Sequence, residues 1–210
     1  MATTTNGIYY RTNGEAAATS EAQALSLATS VDNAIGLVPL VPTSVSVGSG
    51  SATTSSSGKV SYTGASSLSL NGLFTTAYAN YRIVFQHVLT ADTGLNLRLR
   101  VNGADNTSAV YNNHHVYWGP GGNGVNIISN HTVFGALFGH GRQRGAYEVY
   151  APQLAVRTGA TFHGVAENGS GSTEQHTSSV LHKSDTQFDG VTLYPTGGTF
   201  SGTVQVYGYR

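Results

Sequence analysis

The residues in this chain able to do chemistry are its carboxylates, its histidines and one aromatic stretch. Glycan cleavage needs two carboxyl groups held about 5 Å or about 6.5–9.5 Å apart across a glycosidic bond. From Lys59 onward the candidates are Asp92, Asp105, Glu148, Glu167, Glu174, Asp185 and Asp189. Most stand in turn-like contexts. Glu148 alternates with Tyr147 and Val149, which predicts a strand position facing solvent or an arginine. The eight histidines are His87, His114, His115, His131, His140, His163, His176 and His182. None follows a His-Glu-x-x-His spacing, and His114 and His115 cannot share one face of a strand. Most read as ordinary strand or loop residues. His140, in Phe138-Gly139-His140-Gly141-Arg142-Gln143-Arg144, would become a triple site only on the axis of a trimer. Serine is abundant, yet no Gly-x-Ser-x-Gly elbow joins a strand to a helix. No catalytic residue, cofactor or metal ligand is therefore assigned.

Tyr111-Asn112-Asn113-His114-His115-Val116-Tyr117-Trp118 offers better binding chemistry. Aromatic faces stack on sugar C–H surfaces, and amides satisfy hydroxyls. Asn112, Asn113, His115, Tyr117 and Trp118 are the candidate ligand-binding set. The competing and stronger reading makes Tyr117 and Trp118 core or interface residues.

Composition bounds the class of protein. Charged residues are 10% of the 210, well under the share typical of soluble domains, and formal net charge is zero. A neutral chain does not attract a polyanion from a distance, so nucleic acid is not an expected partner. Cysteine is absent, which removes disulfides and thiolate metal sites. The first ten residues lack the basic and apolar regions of a secretory signal, and no apolar run is long enough to span a bilayer. A hydroxyl-rich surface without an export signal suits a particle protein assembled in a host cytoplasm and released by lysis.

The elements that must position these groups fall into three predicted segments. Residues 1–45 read as a helical anchor. Asn6-Gly7 and Asn13-Gly14 bracket Tyr9 and Tyr10, and an alanine-rich stretch starts at Glu15. Ala17, Glu21, Ala24, Ala28, Val31, Ile35 and Val38 step in heptad spacing, predicting a seam in an oligomer or on a virion partner. One amphipathic helix lying on its own head is the plainer alternative. Residues 46–58 read as a Gly/Ser/Thr-rich linker, although Val45 and Val47 could pair with the head.

Residues 59–210 alternate with period two. Tyr81, Ile83 and Phe85 share a face, and Leu95, Leu97, Leu99 and Val101 predict a strand buried on one side. Asn102-Gly103 is hairpin chemistry. Further strands are expected near 111–118, 125–128, 146–150, 161–166, 178–182, 190–193 and 203–207. The fold class is mainly β, an antiparallel sandwich of jelly-roll type.

The run Tyr78-Ala79-Asn80-Tyr81-Arg82-Ile83-Val84-Phe85 resembles a strand of bacteriophage tail-fibre and virion surface domains. The ending Phe200-Ser201-Gly202-Thr203-Val204-Gln205-Val206-Tyr207-Gly208-Tyr209-Arg210 and the hairpin Leu99-Arg100-Val101-Asn102-Gly103 are similar to theirs. The resemblance implies a trimeric β head on a phage particle, held by its N-terminus to other virion proteins. A tail fibre of receptor-binding type, able to bind host-surface glycans, is the leading expectation. The runner-up is a capsid decoration or head-fibre protein, and a polysaccharide depolymerase comes third. No membrane insertion is expected.

Overall fold

A computed structural model describes residues 2–3, 9–10, 36–91, 93–120, 122–134, 136–137, 140–167 and 171–209. Contacts divide the chain into one unit over Met1–Val38 and another over Pro39–Arg210. In the first, β1 (Ala2–Thr3) and β2 (Tyr9–Tyr10) pair antiparallel, with Ala2 opposite Tyr10. Of the expected anchor seam, Ala24, Ala28, Val31 and Ile35 lie outside the described residues. Val38 does not close a helix. It opens a strand, as Gly36 and Pro39 around it would dictate, because neither supports a helical turn.

The second unit begins with β3 (Val38–Leu40), of which Pro39 and Leu40 belong to it. Then come β4 (Ser44–Val47), β5 (Ser51–Thr54), β6 (Val60–Ala65), β7 (Leu68–Asn71) and β8 (Asn80–Leu89). After them follow β9 (Leu95–Val101), β10 (Ala104–Asp105), β11 (Tyr111–Gly119), β12 (Gly122–His131) and β13 (Ala136–Leu137). The chain ends with β14 (His140–Tyr150), β15 (Gly159–Glu167), β16 (Thr173–His182), β17 (Gly190–Pro195) and β18 (Phe200–Tyr209). No helix is present among the described residues.

Two antiparallel sheets share one core. The larger runs β12-β11-β16-β15-β14-β8-β18-β6-β5, with β3 also on β18. The smaller runs β10-β9-β17-β7-β4, with β13 on β9. Tyr81, Ile83, Phe85 and Leu89 of β8 and Tyr147 and Val149 of β14 point inward. So do Leu95, Leu97 and Leu99 of β9 and Val191 and Leu193 of β17. Each such side chain, once buried, contributes about 1.5–3 kcal/mol.

The stretch expected as a linker is structured. Val45 faces Leu70 and Val47 faces Leu68, while Ser51–Thr54 pairs with β6 from Thr63 back to Val60. Serine and threonine are acceptable here because these strands lie at sheet edges, half exposed, where β-branched threonine suits the pleat. The head therefore starts near residue 39 rather than 59.

Strand β9 also departs from expectation, being covered on both sides. Its polar face buries Asn96 and Arg100 at 6% and 9% exposure. The Arg100 guanidinium donates to Ser69 Oγ at 3.0 Å, Thr192 Oγ1 at 2.6 Å, Asn71 Oδ1 at 2.7 Å, and the Asp105 carboxylate. Arg98 lies over the Tyr194 ring at 4.6 Å and approaches the other Asp105 oxygen at 3.8 Å. This polar clasp ties β10, β9, β17 and β7 together. Turn chemistry holds as expected at Asn102-Gly103, whose φ values of 50° and 75° are those of a primed hairpin turn.

Replacing Arg100 with methionine would leave the Asp105 carboxylate with the Thr192 hydroxyl and only the more distant Arg98 guanidinium. We expect a loss of about 2–4 kcal/mol, read as a lower urea midpoint at constant slope. Inside the large sheet, Gly145 and Gly164 face each other across β14 and β15. A Cβ at either would sit within 2.5 Å of the Phe162 ring. Gly164→Ala should lower stability by about 1–3 kcal/mol in the same measurement.

Candidate functional site

The large sheet has a sealed inner face and an open outer face, and alternation decides which side chains reach solvent. On β11, Asn113 and His115 point inward and are 1% exposed, with Tyr117 on the same side. Asn112 and Trp118 point outward, Trp118 being 46% exposed. The five residues expected as one sugar-binding cluster are thus divided between two environments. Period-two alternation in the sequence already carried that signal.

The inward histidines are core aromatics. His115 Nε2 lies 2.9 Å from His176 Nδ1, the two rings are parallel within 2°, and Tyr117 stacks beside both. His176 Nε2 is 3.5 Å from a Glu174 carboxylate oxygen. His87 lies on the Phe85 ring, with Nε2 donating to Gln143 Oε1 at 2.9 Å. His182 donates from Nδ1 to the Ser184 carbonyl at 3.0 Å and meets Tyr111 and Phe188 edge-on. Burial pushes His87 down to about 4, against a smaller opposing effect of Gln143. Burial, helped by His176, takes His115 to about 4 as well. Burial likewise lowers His176, despite Glu174, and His182. All four are neutral at physiological pH.

The outer face carries a groove of about 620 Å³. Its lining crosses β18, β8, β14, β15 and β16 in two cross-strand rows. One row is Gln205, Val84, Ala146 and His163. The next is Thr203, Gln86, Arg144, Val165 and Gln175. Lys59 and Arg82 also line it. Val84, Ala146 and Val165 make an apolar floor, and the amides and cations stand around it.

No acidic side chain lines this groove. Glu148 beside it is held by Arg82 Nε at 3.3 Å and by the Tyr209 hydroxyl at 2.8 Å. Burial, and then the Glu148 carboxylate, hold the Tyr209 phenol above its ordinary range, against a smaller opposing effect of Arg82. Lys59 and Arg144 have no acidic partner among the described residues.

The chain matches no family model, no curated protein and no solved structure. Its site has to be read from its own geometry.

The other carboxylates are spread out. Asp105 is inside the Arg100 clasp, Glu167 is 4.0 Å from Arg142, and Asp189 accepts from the Gly103 amide at 3.3 Å. Asp92, Phe138 and Gly139 lie outside the described residues, as does the side chain of His140. Among the described residues no three His, Asp or Glu side chains are grouped to hold a metal ion. Sequence reasoning missed Gln86, Arg144, Val165, Gln175 and Thr203, because their union depends on strand order. β8, β14, β15, β16 and β18 contribute them from more than a hundred residues of chain.

The neutral histidines set a pH dependence. A histidine with native pKa near 4 and unfolded pKa near 6.5 binds its proton first in the unfolded chain. Stability is then full above about pH 6.5 and falls as pH drops toward 4. For His87 alone the loss amounts to about 3 kcal/mol. Urea unfolding at stepped pH should show this slope, and His87→Gln should reduce it by about 1.4 kcal/mol per pH unit. A stability independent of pH between 4 and 6.5 would refute the neutral assignment.

Proposed function

We propose that this chain is a bacteriophage virion surface protein of tail-fibre, receptor-binding type, whose β head attaches to host-surface carbohydrate without cleaving it. The observation that carries this reading is the outer-face groove. It offers cations and amides over an apolar floor, on a sheet sealed behind by aromatic core. Such a surface recognises a polar ligand reversibly. Glu148 beside it is engaged by Arg82 and Tyr209, and Asp105 and Asp189 by Arg100 and the Gly103 amide, rather than poised as an acid–base pair.

In this reading residues 1–45 supply the hold on other virion proteins, with Tyr9, Tyr10 and the Ala24, Ala28, Val31 and Ile35 seam as contact positions. The head is jelly-roll-like and trimeric. Support for self-association comes from β12, an end strand of the large sheet, where Val125 and Ile127 are 68% and 62% exposed. An edge that long and apolar is normally covered by another chain. Several weak carbohydrate sites on one particle would then add through multivalency.

Purified chain, added in excess, should slow phage adsorption to host cells by at least tenfold. Deleting the gene should remove tail-associated density in particle images. Loss of capsid-surface density with normal adsorption would instead make the chain a capsid decoration protein and end the attachment reading.

A further inference from the structure

The second groove row continues beyond the groove. Trp118 lies opposite Gln175, which lies opposite Val165, then Arg144, then Gln86, then Thr203. Six outward positions on six consecutive strands therefore form one line, about 24 Å long at the usual strand spacing. An exposed indole stands at one end and a guanidinium near the middle. Lys59 adds an ammonium charge to the groove wall.

We propose that this line binds an acidic polysaccharide, a chain of sugar rings bearing anionic groups, lying across the strands. The proposal rests on reading the groove as the attachment site and names its ligand class. Charge is the first argument. The chain has 10 basic and 10 acidic residues, yet Lys59, Arg82 and Arg144 line the groove with no acid among its lining residues. Only Arg82 is neutralised, by Glu148. Arg144 and Lys59 are exposed and free to pair with a ligand anion.

The form of the ligand follows from what surrounds those charges. Gln86, Gln175, Gln205 and Thr203 present amides and a hydroxyl that suit sugar hydroxyls. Val84, Ala146 and Val165 suit the C–H faces of sugar rings, and the Trp118 indole suits stacking on one of them. A peptide fits less well. Each of the six strands already has a neighbour on both sides, so no backbone edge is open for an added strand. Nucleic acid fits less well too, since two unpaired cations and a single indole in the line fall short of the basic groove and the series of stacking aromatics that hold a nucleic-acid strand.

The test is titration calorimetry on the full chain with oligogalacturonate, with a neutral malto-oligosaccharide of equal length, and with poly-glutamate. Oligogalacturonate should bind at least tenfold tighter than the other two. Arg144→Gln and Lys59→Gln should each weaken it about fivefold to tenfold. Trp118→Ala should weaken it about tenfold, and Arg157→Gln, outside the groove, should change nothing. All four positions are exposed, so circular dichroism should be unchanged. Equal affinity for the neutral oligomer would overturn the acidic ligand class while leaving carbohydrate attachment intact. Poly-glutamate binding as tightly as oligogalacturonate would overturn the carbohydrate. No binding of any probe, or indifference to both Arg144→Gln and Trp118→Ala, would overturn the site itself. Tight, variant-sensitive binding by a chain that fails to block adsorption would sustain the inference and remove the attachment role.

Discussion

Register in the large sheet is the constraint on which the rest depends. Side chains alternate, so slipping one strand by a single residue would exchange its core and solvent faces. Here the Phe162 ring locks that choice. It covers the backbone of Gly145 and Gly164 and lies nearly parallel to Phe85, with Tyr147 tilted alongside. Only glycine at both positions leaves room for it. With β8, β14 and β15 fixed in this way, Gln86, Arg144 and Val165 must fall side by side on the opposite face. The inner aromatic layer thus builds the outer row without touching it.

Scarcity of charge shapes the molecule in a second way. Arginine is used on the small sheet as a cross-strand tie: Arg100 and Arg98 converge on Asp105 and link strands that share few apolar residues on that face. Histidine is used in the core as a flat ring that also satisfies a polar neighbour, as His87 does with Gln143. Both solutions make the fold depend on protonation and hydrogen bonding more than an aliphatic core would. They also leave a small set of cations at the surface, where Lys59 and Arg144 face solvent.

Much of the fold was legible in the sequence. The alternation of Tyr81, Ile83 and Phe85 gave β8 its inward face, and Asn102-Gly103 marked the hairpin from β9 to β10, because both signals are local. The burial of Asn96 and Arg100 was not legible, since it depends on Ser69 and Thr192 arriving from strands distant in sequence. The strand at Ser51–Thr54 looked like linker because polar edge strands and flexible linkers share a composition. Among the candidate site residues, Trp118 and Asn112 reach the surface, while Asn113, His115 and Tyr117 serve the interior. Treating consecutive residues as one cluster ignored the pleat. Arg144 and Gln175 carried no local mark at all, and only strand order brings them into one row.

Trp118 is the one tryptophan in the chain, and it stands half exposed at the end of that row. Its near-ultraviolet emission therefore originates from a single place on the surface, uncontaminated by any buried indole. Occupancy of the neighbouring positions changes the polarity around that ring, so the protein carries a built-in optical reporter of what lies on its outer face.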